Sequence, residues 1–235
     1  MVESWLRLPP KRALKYLANK VSIPAEELRS LTNYFHDWAF TVANLNSAEI
    51  LDAIKFLLTD SLQRGGNLGT FNKQFDRLVE RMGWSANGNR RRIIYQTNIS
   101  QAYRYGRQKE IDRLIGDNKS DWVLVWRHRD SPNFRILHKQ LHNKAIPADH
   151  TFWKYGLPPC GFGCRCTVFA LRKERAKKQN IEIITNPPNP DTIWDRQFRR
   201  SPIDAKELMR EALPKLSPSL REQVEQRIRE RNADD

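Results

Sequence analysis

An apolar pattern with helical period persists from residue 11 to residue 115 and then stops at DWVLVWRHR, residues 121–129. There the bulky and β-branched side chains crowd together as they do in a strand. CRCTVFAL (164–171) has the same character and predicts a second strand able to pair with the first. The expected fold class is α+β: a mostly helical N-terminal half, a small α+β unit with two strands or a small antiparallel sheet, and a polar helical C-terminal tail.

The helices are readable one by one. After Pro9-Pro10, which suit a helix start because no N–H is needed there, Ala13, Leu14, Leu17, Ala18 and Val21 share a face. Ser22 or Pro24 opens a second helix carrying Leu28, Leu31, Phe35, Trp38 and Val42. Asn46, with Glu49 three residues on, predicts an N-cap and capping-box acid for a third. This one carries Ile50, Ile54, Leu57, Leu58 and Leu62 and is stopped by Gly65-Gly66. A fourth follows Thr70, with Phe71, Phe75, Leu78, Val79 and Met82 on one side and Gly83 at its end. Residues 89–115 predict a longer helix with Ile93, Ile94, Ala102, Tyr105, Ile111 and Ile115 inward. Residues 130–160 keep no period and predict a long ordered loop, a kind that is usually functional or metal-held. RKERAKKQN is a charged stretch, ITNPPNPDT a proline-rich linker, and residues 203–213 and 217–231 two short helices. The expected divisions are 1–88, 89–171 and 172–235.

Charge is uneven. Of the 41 basic and 27 acidic residues, the stretch 64–144 holds seventeen basic against seven acidic, a net +10 within a total of +14. Arg90, Arg91, Arg92, Arg104, Arg107, Lys109 and Arg113 lie on the 89–115 helix. They are the candidate surface for DNA or another acidic partner, with a solvated helix face as the alternative. No run of about 18 apolar residues exists, which predicts no membrane span. The first residues lack the h-region of a secretory signal, so the expectation is a chain that acts in a cytoplasm.

Three cysteines within seven residues make no disulfide framework. His138, His142, Cys164 and Cys166 are instead the candidate metal set, because thiolate and imidazole are the ligands zinc favours. If 164–166 is extended, both thiols point to one face while Arg165 points away. The alternative is small thiols packing a strand edge. Asp130, Asp149, His138, His142 and His150 could supply a metal-dependent nuclease, but their spacing matches no nuclease signature. No phosphate-binding glycine motif occurs, so nucleotide hydrolysis has no support. Trp122, Trp126, Trp153, Phe134 and Phe152 read as core more readily than as base-stacking platforms.

Several blocks together resemble one family. RRRIIYQTNISQAYRYGRQKEI (90–111) is similar to the R-x-I-Y-x-T-N…A-Y-x-x-G-R helix of phage Mu F-like minor head proteins, also called head-morphogenesis proteins. Arg135-x2-His138, Pro147-Ala148-Asp149, Trp153 and PPCGFGCRC (158–166) resemble that family's downstream signature. The likeness extends over about residues 8–171. It implies a non-enzymatic minor capsid protein of the virion head, present in the host bacterial cytoplasm during assembly. Its implied partners are portal and capsid or scaffold proteins, and DNA. It also implies structural roles for Asn98, Arg107, Arg135, Asp149, Trp153, Pro158, Pro159, Gly161, Gly163 and Arg165. The short tail after Leu171 gives no expectation of the C-terminal toxin domain that some such proteins carry. The rival readings are a stand-alone DNA-binding module and a nuclease or toxin.

Overall fold

The computed structural model describes residues 11–29, 39–129, 134–199 and 213–232. The fold is α+β, and the chain forms two compact units: residues 1–103 with 203–235, and residues 104–202.

The first unit is mainly helical. Helix α1 (Lys11–Ala18) buries Ala13, Tyr16 and Leu17, and α2 (Ala25–Arg29) is a single short turn. The expected second helix does not reach Val42. Strand β2 (Ala39–Phe40) pairs in parallel with β1 (Val21–Ser22), while Leu31, Phe35 and Trp38 lie outside the described residues. A two-residue ladder has no period, so the sequence carries no sign of it. Helix α3 (Ala48–Gln63) buries Leu51, Ile54, Leu57, Leu58 and Leu62. Its N-cap is Ser47, whose hydroxyl accepts from the Ile50 N–H at 3.2 Å. Asn46, the expected cap, is taken up by Glu26: its side-chain oxygen accepts from the Glu26 N–H and its amide donates to the Glu26 carboxylate.

Gly65 and Gly66 end α3 as expected. Gly65 has φ +66°, and the Gly66 N–H donates to the Ser61 carbonyl at 2.7 Å, the hydrogen-bond pattern of a left-handed helix stop. Helix α4 (Leu68–Leu78) starts from an Asn67 cap and buries Phe71 and Phe75. Phe71 meets Phe75 and Tyr95 at ring separations of 5.7 and 5.2 Å. Helix α5 (Gly88–Ile115) is the long helix expected from the sequence. Ile94, Ala102, Ile111 and Ile115 are buried along it, but Ile93 is exposed. Neighbours on a helix stand about 100° apart, so only one of Ile93 and Ile94 can face the core.

The C-terminal helix, residues 218–232 and here α9, joins this unit. Leu216, Leu220 and Val224 pack with Val21, Ile23 and Ala39 in one cluster, covering the short parallel pair. The helix expected at 203–213 lies outside the described residues except for Leu213.

The second unit is built on β3 (Trp122–Arg127), central in the order β4-β3-β5. Strand β5 (Thr167–Arg172) pairs antiparallel with it from Trp122↔Arg172 to Arg127↔Thr167, the pairing expected from the sequence. Strand β4 (Ala145–Pro147) lines the other edge. Both faces of β3 are covered. Trp122, Leu124 and Trp126 join one cluster, and Val123 and Val125 join another with Ala145, Leu171 and Ala176. A strand buried on both sides must be apolar throughout, which explains the unbroken WVLVW.

The supposed loop 130–160 contains α6 (Ile136–Gln140), β4 and a 3₁₀ turn at Thr151–Tyr155. Each is too short to display a period. Helix α7 (Lys173–Lys178) carries the charged stretch. The proline-rich segment is not a free linker: α8 (Pro190–Ile193) is capped by Asn189, and Ile193, Trp194 and Phe198 enter the core. Proline at the first helical position supports such a turn, because its fixed φ suits it.

Phe75→Ala should destabilise the first unit by about 3–5 kcal/mol, since a fully enclosed ring leaves a cavity. Phe56→Ala, at an exposed position on α3, should stay within about 0.5 kcal/mol. Urea unfolding followed by circular dichroism separates the two.

Candidate functional site

The glycine- and cysteine-bearing loop 158–166 closes the second unit. Pro158, Pro159 and Cys160 are buried, and the Pro158–Pro159 peptide is cis. Gly161 follows at a point with no room for a side chain: an added Cβ would overlap the Asp195 carboxylate and the Arg135 guanidinium. Those two groups form an ion pair at 2.5 Å. The Asp195 N–H also donates to the Cys160 carbonyl at 2.8 Å. Gly163 has a different task, since it turns the chain at φ +71°, a region L-residues with a Cβ avoid. Beyond it Cys164 and Cys166 turn inward while Arg165 is exposed, the alternation expected of extended chain.

The thiols meet an imidazole. His138, on α6, is almost wholly buried. Its Nε2 lies 3.0 Å from the Ile193 carbonyl oxygen. A carbonyl can only accept, so Nε2 carries a proton, and Nδ1 is the ring nitrogen that faces the sulfurs. That Nδ1 lies 3.6 Å from the Cys164 sulfur and 3.7 Å from the Cys166 sulfur. His128 Nδ1 stands 3.4 Å from the Cys166 sulfur. Cys160 and Cys166 both hydrogen-bond to Cys164, and this holds the Cys164 thiol well below its ordinary pKa. Burial pushes Cys160 well up. Cys166 is pushed up first by giving its proton toward Cys164 and then by burial.

Three of the four expected metal ligands, His138, Cys164 and Cys166, are therefore brought together, with their ligand atoms within 4.8 Å of one another. His142 is not among them. Helix α6 ends at Gln140, so the spacing of four no longer places both rings on one helical face. His142 is exposed, and its Nδ1 accepts from the His128 N–H at 3.1 Å. Asp149 is exposed, Asp130 lies outside the described residues, and His150 caps the 3₁₀ turn by accepting from the Phe152 N–H.

The other residues of the motif serve packing. Trp153 donates through Nε1 to the Pro147 carbonyl at 3.0 Å and stacks on Trp126 at 6.3 Å. Trp126 and Phe152 are enclosed, whereas Phe134 is exposed. On α5, the Asn98 amide donates to the Ile94 carbonyl. Burial first, then the charge of Arg129, lowers the Arg107 pKa. The arginine row is not uniform. Arg91 pairs with Asp76 and Glu80 and lies over the Phe75 ring, and Arg104 is buried. Arg90 donates to the Ala43 carbonyl and covers Trp84. Lys109 sits 6.0 Å over Tyr105. Arg92 and Arg113 are exposed and, among the described residues, bond to near neighbours on the helix, Asn89 and Glu110.

Sequence reasoning missed the partners of this loop. Trp194 and Asp195 follow a proline-rich stretch whose composition hides them. Asp191 joins the same corner, accepting from the Tyr155 hydroxyl at 2.6 Å and pairing with Lys154 and Arg199 at 3.3 Å each. Its neighbour Asn189, followed directly by proline, was the one available sign of a helix start.

A long helix leading into a small antiparallel sheet closed by a Pro-Pro, Gly-x-Gly, Cys-x-Cys loop defines a class of protein, and comparison identifies it. The model of the family "Phage Mu protein F like protein" matches residues 52–169, and the chain belongs to that family. It is 28% identical over 197 residues to the "Putative capsid assembly protein F" of Escherichia phage Mu, covering 75% of this chain and 44% of that protein. It is 31% identical over 167 residues to the "Mu-like prophage FluMu F protein" of Haemophilus influenzae, covering 63% of this chain and 38% of that one. The chain thus spans less than half the length of either relative. No solved structure gives a significant match.

Gly161→Ala should cost about 1–3 kcal/mol by overpacking. Much of that penalty should vanish when it is combined with Asp195→Ala, a non-additivity expected of groups in contact. Tryptophan fluorescence during urea unfolding would show it. The Tyr155 hydroxyl first, and Lys154 after it, lower the Asp191 pKa. A depressed carboxylate stabilises the fold fully above its unfolded pKa and loses that contribution as pH falls through the lower folded value. Below about pH 4, the native protein should therefore lose stability more steeply than Asp191→Asn, as acid titrations of both would show.

Proposed function

We propose that this chain is a head-assembly protein of a Mu-like phage or prophage, acting through interfaces with portal and capsid or scaffold proteins. It works in the virion head and in the host cytoplasm while heads are built. The observation that carries this reading is the family match over residues 52–169, together with a relative named as a putative capsid assembly protein. Geometry supports interfaces over catalysis. The groups of the motif, Arg135, Asp195, Gly161 and the inward thiols, are engaged with one another in closing the fold. Outside them stand Phe134, Ile136, Leu137 and Phe162, all exposed, with Ile136 at 68% and Phe162 at 50%. Large apolar groups set around a rigid loop are what a protein partner buries. Among the described residues no helix is long and apolar enough to cross a membrane.

Contact with DNA is a second part of the proposal, favoured by the net charge of the 64–144 stretch. On α5, Arg92 and Arg113 are the residues suited to it, since Arg91 and Arg104 serve the fold.

Co-expressed portal protein should be captured by the full chain, and Ile136→Asp with Phe162→Asp should weaken capture at least about tenfold, roughly 1.4 kcal/mol, without changing the circular dichroism. Normal infectious heads in a phage deleted for the gene would end this reading. If α5 contacts DNA, Arg92→Gln and Arg113→Gln should each reduce the slope of log affinity against log salt by roughly 1. A slope left unchanged removes DNA from the proposal and leaves the protein interfaces standing.

A further inference from the structure

We propose that the enclosed cluster on the 158–166 loop is a structural zinc(II) site, with His138 Nδ1, Cys164 Sγ and Cys166 Sγ as ligands and Cys160 Sγ as the fourth. This does not rest on the assembly function proposed above.

Ligand spacing is the first ground. Zinc–thiolate bonds of about 2.3 Å and zinc–imidazole bonds of about 2.0–2.1 Å, held at tetrahedral angles, separate sulfur from nitrogen by about 3.6 Å. The observed separations are 3.6 and 3.7 Å. An S–H···N hydrogen bond can also span such a distance, but a single lone pair cannot serve two sulfurs equally well by that route. A central cation is attracted to all three at once.

The second ground is the far side of the imidazole. Nε2–H donates to the Ile193 carbonyl at 3.0 Å, which fixes the tautomer and aims Nδ1 at the sulfurs. Metal-bound histidines are usually oriented by such a bond. The third is enclosure: His138, Cys160, Cys164 and Cys166 are all buried. Zinc takes the thiols as thiolates, and their protons pass to solvent. Cys160 is fully enclosed, but its sulfur stands outside the group of ligand atoms lying within 4.8 Å of one another, so it becomes the fourth ligand by turning in toward Cys164 as the ion binds. The site would join α6, the loop and the chain at Ile193, three segments distant in sequence, in one covalent-like knot.

The test uses the full chain, without a histidine tag, purified under reducing conditions. Elemental analysis should give about one zinc per chain, falling to under about a tenth in Cys164→Ser and in His138→Gln. Because those variants could fail to fold, the native protein is also stripped with a chelator and refilled with cobalt(II). Absorption bands of tetrahedral cobalt should appear, with thiolate-to-cobalt charge transfer that loses roughly a third of its intensity in Cys160→Ser. Intensity unchanged in Cys160→Ser would overturn the fourth ligand. Native protein that binds neither ion while all three thiols titrate as free would overturn the site, as would zinc retained in both Cys164→Ser and His138→Gln.

Discussion

At Gly161 the chain passes so close to the Arg135–Asp195 ion pair that only a hydrogen atom fits between backbone and charge. That crowding positions the rest of the sheet-bearing unit. Because Asp195 reaches the loop with both its carboxylate and its N–H, the preceding residues Ile193 and Trp194 are drawn into the core. The Ile193 carbonyl then lies where it can hold the His138 ring. Ring, thiols and loop follow from one steric constraint joined to one ion pair. The pair is about two-thirds buried on each side, so its value lies in orientation more than in net energy, and removing one member would leave the other poorly solvated.

Helix α5 shows a related economy. Its basic residues look alike in sequence and have unlike surroundings. Arg91 pairs with two carboxylates and lies over an aromatic ring, Arg107 is partly desolvated, and Arg92 and Arg113 face water. Guanidinium groups can stack and make forked hydrogen bonds together, which lets one residue type serve both core and surface of a long helix. A count of positive charges therefore overstates what the helix can offer a polyanion.

Much of this was legible in the sequence, and the limits follow physical lines. Long helices announce themselves through period: α3, α4 and α5 were each visible, with a one-residue error at the α3 cap, where Asn46 and Ser47 are chemically interchangeable, and larger ones at α4, which starts from Asn67 rather than Thr70 and ends at Leu78, short of Gly83. The apolar run of β3 and its pairing with β5 were visible because a strand buried on both faces has no polar positions to disguise it. The β1–β2 pair, α6, β4 and α8 were not, since elements of two to five residues end before any period can show. At the site, the cysteines and His138 were apparent from chemistry alone. His142 seemed equivalent to His138 only while α6 was assumed to run on past Gln140. Asp195, sixty residues from Arg135, was hidden because long-range ion pairs leave no local trace.

The clustering of Val21, Ile23 and Ala39 with Leu216, Leu220 and Val224 bears on the order of events during synthesis. A ribosome delivers the whole sheet-bearing segment before the last of those partners emerges. The segment with Trp126, Trp194 and Phe198 can therefore settle first, while the helical part waits with its short parallel pair uncovered. Domains commonly fold as they emerge, N-terminal first. Here the interleaved connectivity reverses that sequence, so the interior stretch of the chain is finished before the stretch that begins it.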